Sequence, residues 1–285
     1  MRFAKTLLIT VPLVVFLFSS CDKIKAPYAL ARHGNITDTV IDWQDTVIPV
    51  KRVFLEDYTG HKCPNCPAAA AIAHSQEEYY HGKLIVLAVH AGYYAIPGSG
   101  EFAADFRTTA GEEWNTDFQL IAYPSGMINR KEFNGHRVLG SEEWVTDIAG
   151  IMDQSPDLNM LILNNTYDSV SRTVNSVIYS QFRRSLQGSF NITVCVMEDN
   201  IISAQDSAST IIHNYVFKNV LRGSVNGTYG EILTASVDPS LTYLGRFSIP
   251  INPTWVPENC SILAFVSKPD TKEIIQVIKK KVITQ

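Results

Sequence analysis

The segment from Val50 to His90 constrains the fold most, because it sets two cysteines between two strand patterns and next to a helix pattern. The stretch "PVKRVFLEDYTG" is rich in β-forming residues and stops at Gly60, and "LIVLAVHAG" is apolar throughout, as in a strand buried on both faces. Between them, "CPNCPAAAAIAHSQEEYYHGK" predicts a helix with Pro64 and Pro67 in its first turn, where proline costs least. The cysteine pair is therefore predicted at the junction of a strand and a helix.

Cys63 and Cys66 form the only CxxC motif of the chain, and three interpretations are open. A structural zinc site needs four ligands, and no matching histidine pair exists, although His61 could supply a third ligand. A structural disulfide here would close a very short loop and constrain the unfolded chain little. Thiol–disulfide exchange agrees best with the position, because a helix N-terminus stabilises a thiolate. We expect Cys63 to be exposed and nucleophilic and Cys66 to be more buried and to resolve the mixed disulfide, with no metal or other cofactor.

The residues after the motif continue the alternation of helices and strands. "GEFAADFRTTAGEEWNTDF" predicts one or two helices in a long insertion, and "AYPSGMINRKEF" predicts a turn into a strand. "GSEEWVTDIAGIMDQ" predicts a closing helix capped by Ser141, with Trp144, Ile148 and Ile151 on one face. Residues 49–155 are therefore expected to form an α/β domain.

The order of these elements resembles that of the thioredoxin superfamily: a strand, a CxxC motif, a helix, a second strand and then an isolated prolyl turn. In "IAYPSGMINR" the resemblance implies that Pro124 takes the cis-proline position and that Tyr123 and Pro124 position the substrate backbone. It also implies a buried acid before the first cysteine; Asp57 stands there and would help to move the proton of Cys66. Glu56 is the competing acid, since strand alternation puts it on the opposite face.

One position departs from the thioredoxin pattern. Lys62 stands where thioredoxin has a tryptophan before the CxxC. A nearby cation favours the thiolate electrostatically, but a hydrophobic docking surface is lost. The identity of the redox partner is therefore left open.

The N-terminus predicts export and anchoring. Arg2 and Lys5 precede an apolar run that is too short for the about 20 residues of a membrane span but has the length of a signal-peptide core. The small residues of "FSSC" before Cys21 are typical of a lipobox, in which the cysteine is lipidated. An ordinary signal peptide with an incidental Cys21 is the alternative. We predict a signal peptide over residues 1–20 and a tether over residues 21–48.

The C-terminal part has a different character. Seven strand-like runs separated by turns follow Pro156, and they predict an all-β immunoglobulin-like sandwich over residues 156–285. In "NITVCVM", the parity of Cys195 points it away from the core, and Cys260 opens its strand; a disulfide between the two stays open. Charged residues make up 18% of the chain, the net charge is −4 and no basic stripe is present, so a nucleic-acid partner is not expected.

The whole chain resembles outer-membrane lipoproteins of Bacteroidetes that are related to a 28-kilodalton outer-membrane protein. The resemblance rests on "FSSC", "LEDYTGHKCPNCP", "AYPSG" and "HNYVFKNVLRG". It implies a lipid anchor in the outer membrane, on the periplasmic or the outer face, and the role of a cell-surface adhesin or receptor.

Two functions are therefore expected. The first is a thiol–disulfide oxidoreductase whose partners are exported cysteine-containing proteins or a redox partner protein. The second is a non-catalytic adhesin or receptor that uses the β-sandwich for binding. Neither the redox direction nor the substrate follows from the residues.

Overall fold

A computed structural model describes residues 34–41, 48–208 and 210–284. The predicted signal peptide and Cys21 lie outside the described residues. None of the helices in these three ranges has the length and hydrophobicity of a membrane span.

The described residues form a mostly β structure. The α-helices are α1 (Cys66–Tyr79), α2 (Thr109–Asp117) and α3 (Trp144–Met152), and two short 3-10 turns are formed by Tyr93–Ala95 and Gly100–Phe102. The strands are β1 (Asn35–Thr39), β2 (Val53–Thr59), β3 (Leu84–His90), β4 (Ser125–Ile128), β5 (Leu158–Asp168), β6 (Thr173–Phe182), β7 (Phe190–Glu198), β8 (Ile201–Ser207), β9 (Thr210–Phe217), β10 (Val220–Ser224), β11 (Glu231–Thr234), β12 (Thr242–Pro250), β13 (Cys260–Ser267) and β14 (Ile274–Lys281).

The largest sheet has the strand order β14-β13-β7-β10-β3-β2-β4, with β11 paired to β7. Its centre is the parallel pair β2 and β3, aligned from Val53 opposite Leu84 to Thr59 opposite His90. Every residue of β2 is buried, and so is every residue of β3 except Ala88, which confirms the prediction of β3 as a central strand. β4 pairs antiparallel with β2, and β10 pairs parallel with β3.

Helices cover both faces of this central part. α1 and α3 pack on one face, where Trp144, Ile148 and Ile151 are buried as the sequence predicts. α2 packs on the other face, with Trp114 against Phe265 of β13. The predicted cap of α3 is wrong: its N-cap is Glu143 rather than Ser141, and no side chain accepts a capping hydrogen bond there.

A second sheet, of order β1-β12-β6-β5, packs against β7, β13 and β14 to form a β-sandwich. The core between them contains buried apolar side chains from both sheets, and each such side chain stabilises the fold by about 1.5–3 kcal/mol. Representative members are Ile162, Ile178, Phe247, Val194, Ile262 and Ile278.

Three features differ from the sequence expectations. Residues 35–39, assigned to the tether, form strand β1 at the edge of the second sheet, where they pair with β12. The run "IIHNYVFKNVLRG", expected as one strand, is divided between β9 and β10, because Asn219 between them has a left-handed backbone with a φ of 57°. Strands β8 and β9 form a separate two-stranded sheet. The division at residue 155 stays a prediction; strands from both sides of it share the largest sheet through the β3–β10 pair.

Candidate functional site

The CxxC motif lies between β2 and α1 and is closed by a disulfide bond between Cys63 and Cys66. α1 begins at Cys66, with proline at its start, so Cys63 lies in the turn that precedes the helix. The Cys63 amide donates to the carbonyl of Gly60 at 2.9 Å, and the Cys66 amide donates to the Cys63 carbonyl at 3.3 Å. Two successive tight turns therefore bring the sulfurs together at the positive end of the helix.

The expectations that Cys63 is exposed and that Cys66 is the more buried of the two are wrong. Cys63 is 0% exposed and Cys66 is 2% exposed. Gln205 of β8 donates its side-chain amide to the Cys63 carbonyl at 3.0 Å, and the Asp206 amide donates to the His61 carbonyl at 2.8 Å. The motif is therefore covered by a segment from far along the chain, which no local pattern around the cysteines could indicate.

Asp57 and Glu56 point to opposite faces of the sheet, as strand alternation predicts. Glu56 forms a buried bidentate ion pair with Arg130, whose Nε and Nη2 atoms lie 2.8 and 2.7 Å from the two carboxylate oxygens. The Arg130 guanidinium also lies 4.7 Å from the ring centre of Trp114. Glu56 is thus engaged on the α2 face, which leaves Asp57 as the acid on the face of the CxxC motif.

The Asp57 carboxyl group is buried beside the motif. Its Oδ1 atom has no hydrogen-bond partner among the described residues. Burial raises the pKa of Asp57 from 3.8 to about 7, because desolvation disfavours the carboxylate. Near neutral pH this group can therefore both give and take a proton.

A small cavity of about 20 Å³ joins Asp57 to Cys66. This volume is enough for one water molecule, which needs about 10–15 Å³. The remaining walls come from β3, α1 and the β8–β9 region, so the cavity lies under the covering segment. Its other lining residues include His74, His90, Gln205, Tyr215 and Phe217.

Tyr123 and Pro124 immediately precede β4, and the peptide bond between them is cis. Because Tyr58 of β2 pairs with Ser125 of β4, Pro124 lies next to the end of β2 from which the CxxC loop departs. The Tyr123 ring lies 6.1 Å from that of Tyr94, whose carbonyl accepts a hydrogen bond from the Lys62 amide at 3.1 Å. Tyr94 therefore contacts both the prolyl turn, through its ring, and the motif loop, through its carbonyl.

Two histidines near the motif are buried in an aromatic environment. His61 stacks on Phe102 at 5.6 Å, and His90 contacts the rings of Phe106 and Phe217 at 5.1 and 5.4 Å. Desolvation lowers the pKa of His61 to about 4 and that of His90 to about 3, so both are neutral at pH 7. Within the described chain the ring nitrogens of His90 have no hydrogen-bond partner.

Cys195 and Cys260 are free thiols, both buried, so the disulfide left open by the sequence does not form between them. They lie on opposite faces of the largest sheet, Cys195 on the α2 side and Cys260 in the sandwich core. The parity of Cys195 was correct, but the expectation that it points out of a core was wrong, since a second core covers that face. Burial raises the pKa of each thiol to about 12.

Within the described ranges, no group of three or more His, Cys, Asp and Glu side chains is arranged to hold a metal ion.

Two solved structures with a similar fold are bacterial proteins. HBP35 of Porphyromonas gingivalis matches with a TM-score of 0.62 and 14% identity, over 82% of this chain and 76% of that chain. A protein from Agrobacterium tumefaciens matches with a TM-score of 0.51 and 12% identity, over 84% of this chain and 98% of that chain. At these identities the similarity shows the fold alone.

A domain of the outer membrane lipoprotein Omp28 from Porphyromonas gingivalis is 22% identical, with a TM-score of 0.31, over 44% of this chain and 88% of that chain. No curated protein matches the chain. The family model for outer membrane protein Omp28 matches residues 112–285, which is more than half of the chain. The chain therefore belongs to the outer membrane protein Omp28 family, which confirms the predicted family and the predicted location at the outer membrane.

Proposed function

We propose that the protein is a thiol–disulfide oxidoreductase of exported proteins, with Cys63 and Cys66 as its redox pair. The observation that carries the proposal is the small cavity shared by the buried Asp57 carboxyl and Cys66. A carboxyl with a pKa near 7 beside the second cysteine of a CxxC is suited to transfer the proton that this cysteine gains or loses.

The fold around the motif supports the same proposal. β2, α1 and β3 form a parallel strand–helix–strand unit, and β4 follows Pro124 antiparallel to β2. We propose on this basis that residues 49–155 are thioredoxin-like. Cys63 then precedes the N-terminus of α1, whose partial positive charge stabilises its thiolate, and Tyr123 and Pro124 lie where a substrate backbone would be held.

The exchange can be written from the disulfide form. One thiolate of a dithiol in an exported protein attacks the sulfur of Cys63; the Cys63–Cys66 bond breaks, and Cys66 leaves and takes a proton from Asp57. The second substrate thiol loses its proton to solvent and attacks the substrate sulfur that is bonded to Cys63, so that the mixed disulfide breaks and Cys63 leaves as a thiolate. The substrate is oxidised by two electrons and the CxxC pair is reduced; the reverse sequence reduces a substrate disulfide.

Trapping of the mixed disulfide tests this assignment. With Cys66→Ala, the resolving thiol is lost, so the Cys63 thiolate should attack a disulfide of an oxidised substrate protein, release the other substrate sulfur as a thiolate, and accumulate in a mixed disulfide with the substrate. Cys63→Ala is the matched control and should form none. Equal trapping by both variants, or none by either, would refute the roles given to the two cysteines.

The anchor is a second part of the proposal. We expect Cys21 to be lipidated, so Cys21→Ser should move the protein from the membrane fraction to the soluble fraction of cells. Retention in the membrane fraction would show that another segment holds the protein there.

A non-catalytic adhesin or receptor is the second candidate, and two observations favour it. Cys63 is fully buried, and the family match begins at residue 112, after the CxxC motif. In this case binding to a cell-surface ligand would persist when Cys63 and Cys66 are both changed to alanine. Loss of binding in that double variant, with the fold intact, would argue against it.

A further inference from the structure

We propose that the β8–β9 hairpin, with strands Ile201–Ser207 and Thr210–Phe217, is a lid over the Cys63–Cys66 disulfide, and that Gln205 is the positioning residue that holds it closed. The lid has to move away before a protein substrate reaches Cys63. The proposal deepens the proposed function and rests on it, because it describes how the same disulfide becomes accessible.

The lid is held closed by hydrogen bonds from β8 to the motif loop. The side-chain amide of Gln205 donates to the carbonyls of Cys63 at 3.0 Å and of Gly60 at 3.4 Å. The neighbouring Asp206 amide donates to the His61 carbonyl at 2.8 Å. All three acceptors belong to the loop that carries the cysteines, so the lid holds the redox motif directly.

The underside of the lid closes the space beside the disulfide. Tyr215 and Phe217 of β9 line the cavity together with Cys66, Asp57 and Gln205. Phe217 is 5% exposed and contacts Tyr215 in an edge-to-face arrangement, with 4.7 Å between ring centres. With the lid closed, this arrangement leaves no room for a polypeptide at the sulfurs.

The lid is connected so that it can move as a unit. β8 and β9 pair only with each other in the described structure, whereas β7 and β10, which precede and follow them, belong to the largest sheet. Asn200 and Asn219 stand at the two junctions with left-handed backbones, at φ values of 58° and 57°. The Asn219 carbonyl accepts a hydrogen bond from the Ala88 amide of β3 at 2.8 Å, so Asn219 stays with the main sheet, and the hairpin can rotate on the lid side of the two asparagines without breaking that bond.

An additional contact at the surface is weaker. The Nδ1 atom of His213 in β9 lies 2.8 Å from Oε1 of Glu101, which belongs to the 3-10 turn Gly100–Phe102. Both side chains are exposed, and exposed pairs of this kind contribute little. Gln205, at 2% exposure, is therefore the residue to test.

The experiment measures how fast dithiothreitol reduces the Cys63–Cys66 disulfide in the full chain, by alkylation at timed intervals and mass spectrometry. Gln205→Met keeps the length of the side chain and removes its donor. Loss of two hydrogen bonds from the closed state should raise the rate about tenfold. Ile202→Met, on the same strand at a position that is 66% exposed, is the matched control and should react at the wild-type rate.

A second measurement needs no variant. Hydrogen exchange of the Asp206 amide in the wild-type protein should be much faster than that of the Leu55 amide in the central strand β2, because lid opening is local. A wild-type reduction rate in folded Gln205→Met, or equal protection of the Asp206 and Leu55 amides, would overturn the lid. Neither result bears on whether Cys63 exchanges with substrates, which the Cys66→Ala trapping decides separately.

Discussion

The buried carboxyl of Asp57 predicts how stability depends on pH. The pKa of this group is about 7 in the folded protein, whereas its ordinary value, which applies to the unfolded chain, is 3.8. The unfolded chain therefore ionises first as the pH rises, and the folded state loses stability progressively between about pH 4 and pH 7. At 1.36 kcal/mol per pKa unit, the loss amounts to about 4 kcal/mol by pH 8.

Asp57→Asn removes this dependence, because an amide does not titrate. We compare the free energies of unfolding of the variant and the wild type. The variant's value minus the wild type's should increase by about 4 kcal/mol from pH 4 to pH 8. Urea unfolding of both oxidised proteins at several pH values measures the difference. The lowered pKa values of His61 and His90 also make stability depend on pH, but both proteins share them, so they cancel.

Asp153→Asn, at an exposed position on the C-terminal side of α3, controls for the loss of one carboxylate from the chain. The reasoning would be refuted if the difference between Asp57→Asn and the wild type stayed constant from pH 4 to pH 8. In that case Asp57 would be ionised in the folded protein over the whole range, and its role as a proton donor to Cys66 would fail.

Two further predictions concern the core. Arg130→Met leaves the buried Glu56 carboxylate without its partner and should destabilise the protein by about 3–5 kcal/mol in urea unfolding. A loss of stability below 1 kcal/mol would contradict the importance of this ion pair. Burial raises the pKa values of the Cys195 and Cys260 thiols to about 12. Both thiols should therefore resist iodoacetamide at pH 8 in the native protein and react once it unfolds. Rapid labelling of either thiol in the native protein, mapped by mass spectrometry, would show that its core is open.

Local patterns predicted the elements that carry the site. The apolar run of β3 is recognisable because the strand is buried on both faces, and β2 is recognisable from its β-forming residues and the glycine that follows it. Strand alternation separated Asp57 from Glu56, and the structure shows why the separation matters, since Arg130 engages only Glu56. The resemblance to thioredoxins implied that Pro124 faces the motif, and the structure places the prolyl turn beside the end of β2.

Long-range contacts account for what the sequence did not show. Cys63 is buried because Gln205, 142 residues away along the chain, lies over it, and a single glutamine in a polar stretch carries no signal of that contact. Cys195 was assigned to the correct face, but its burial depends on α2 and its surroundings, which parity within one strand does not reveal. β1 escaped detection because its polar edge strand is held by pairing with β12.

Insulin reduction tests the central claim most directly. The full chain should accelerate the reduction of insulin by dithiothreitol, Cys63→Ser should abolish the acceleration, and Cys195→Ser should leave it unchanged. A wild-type protein that reduces insulin no faster than Cys63→Ser would contradict the oxidoreductase function.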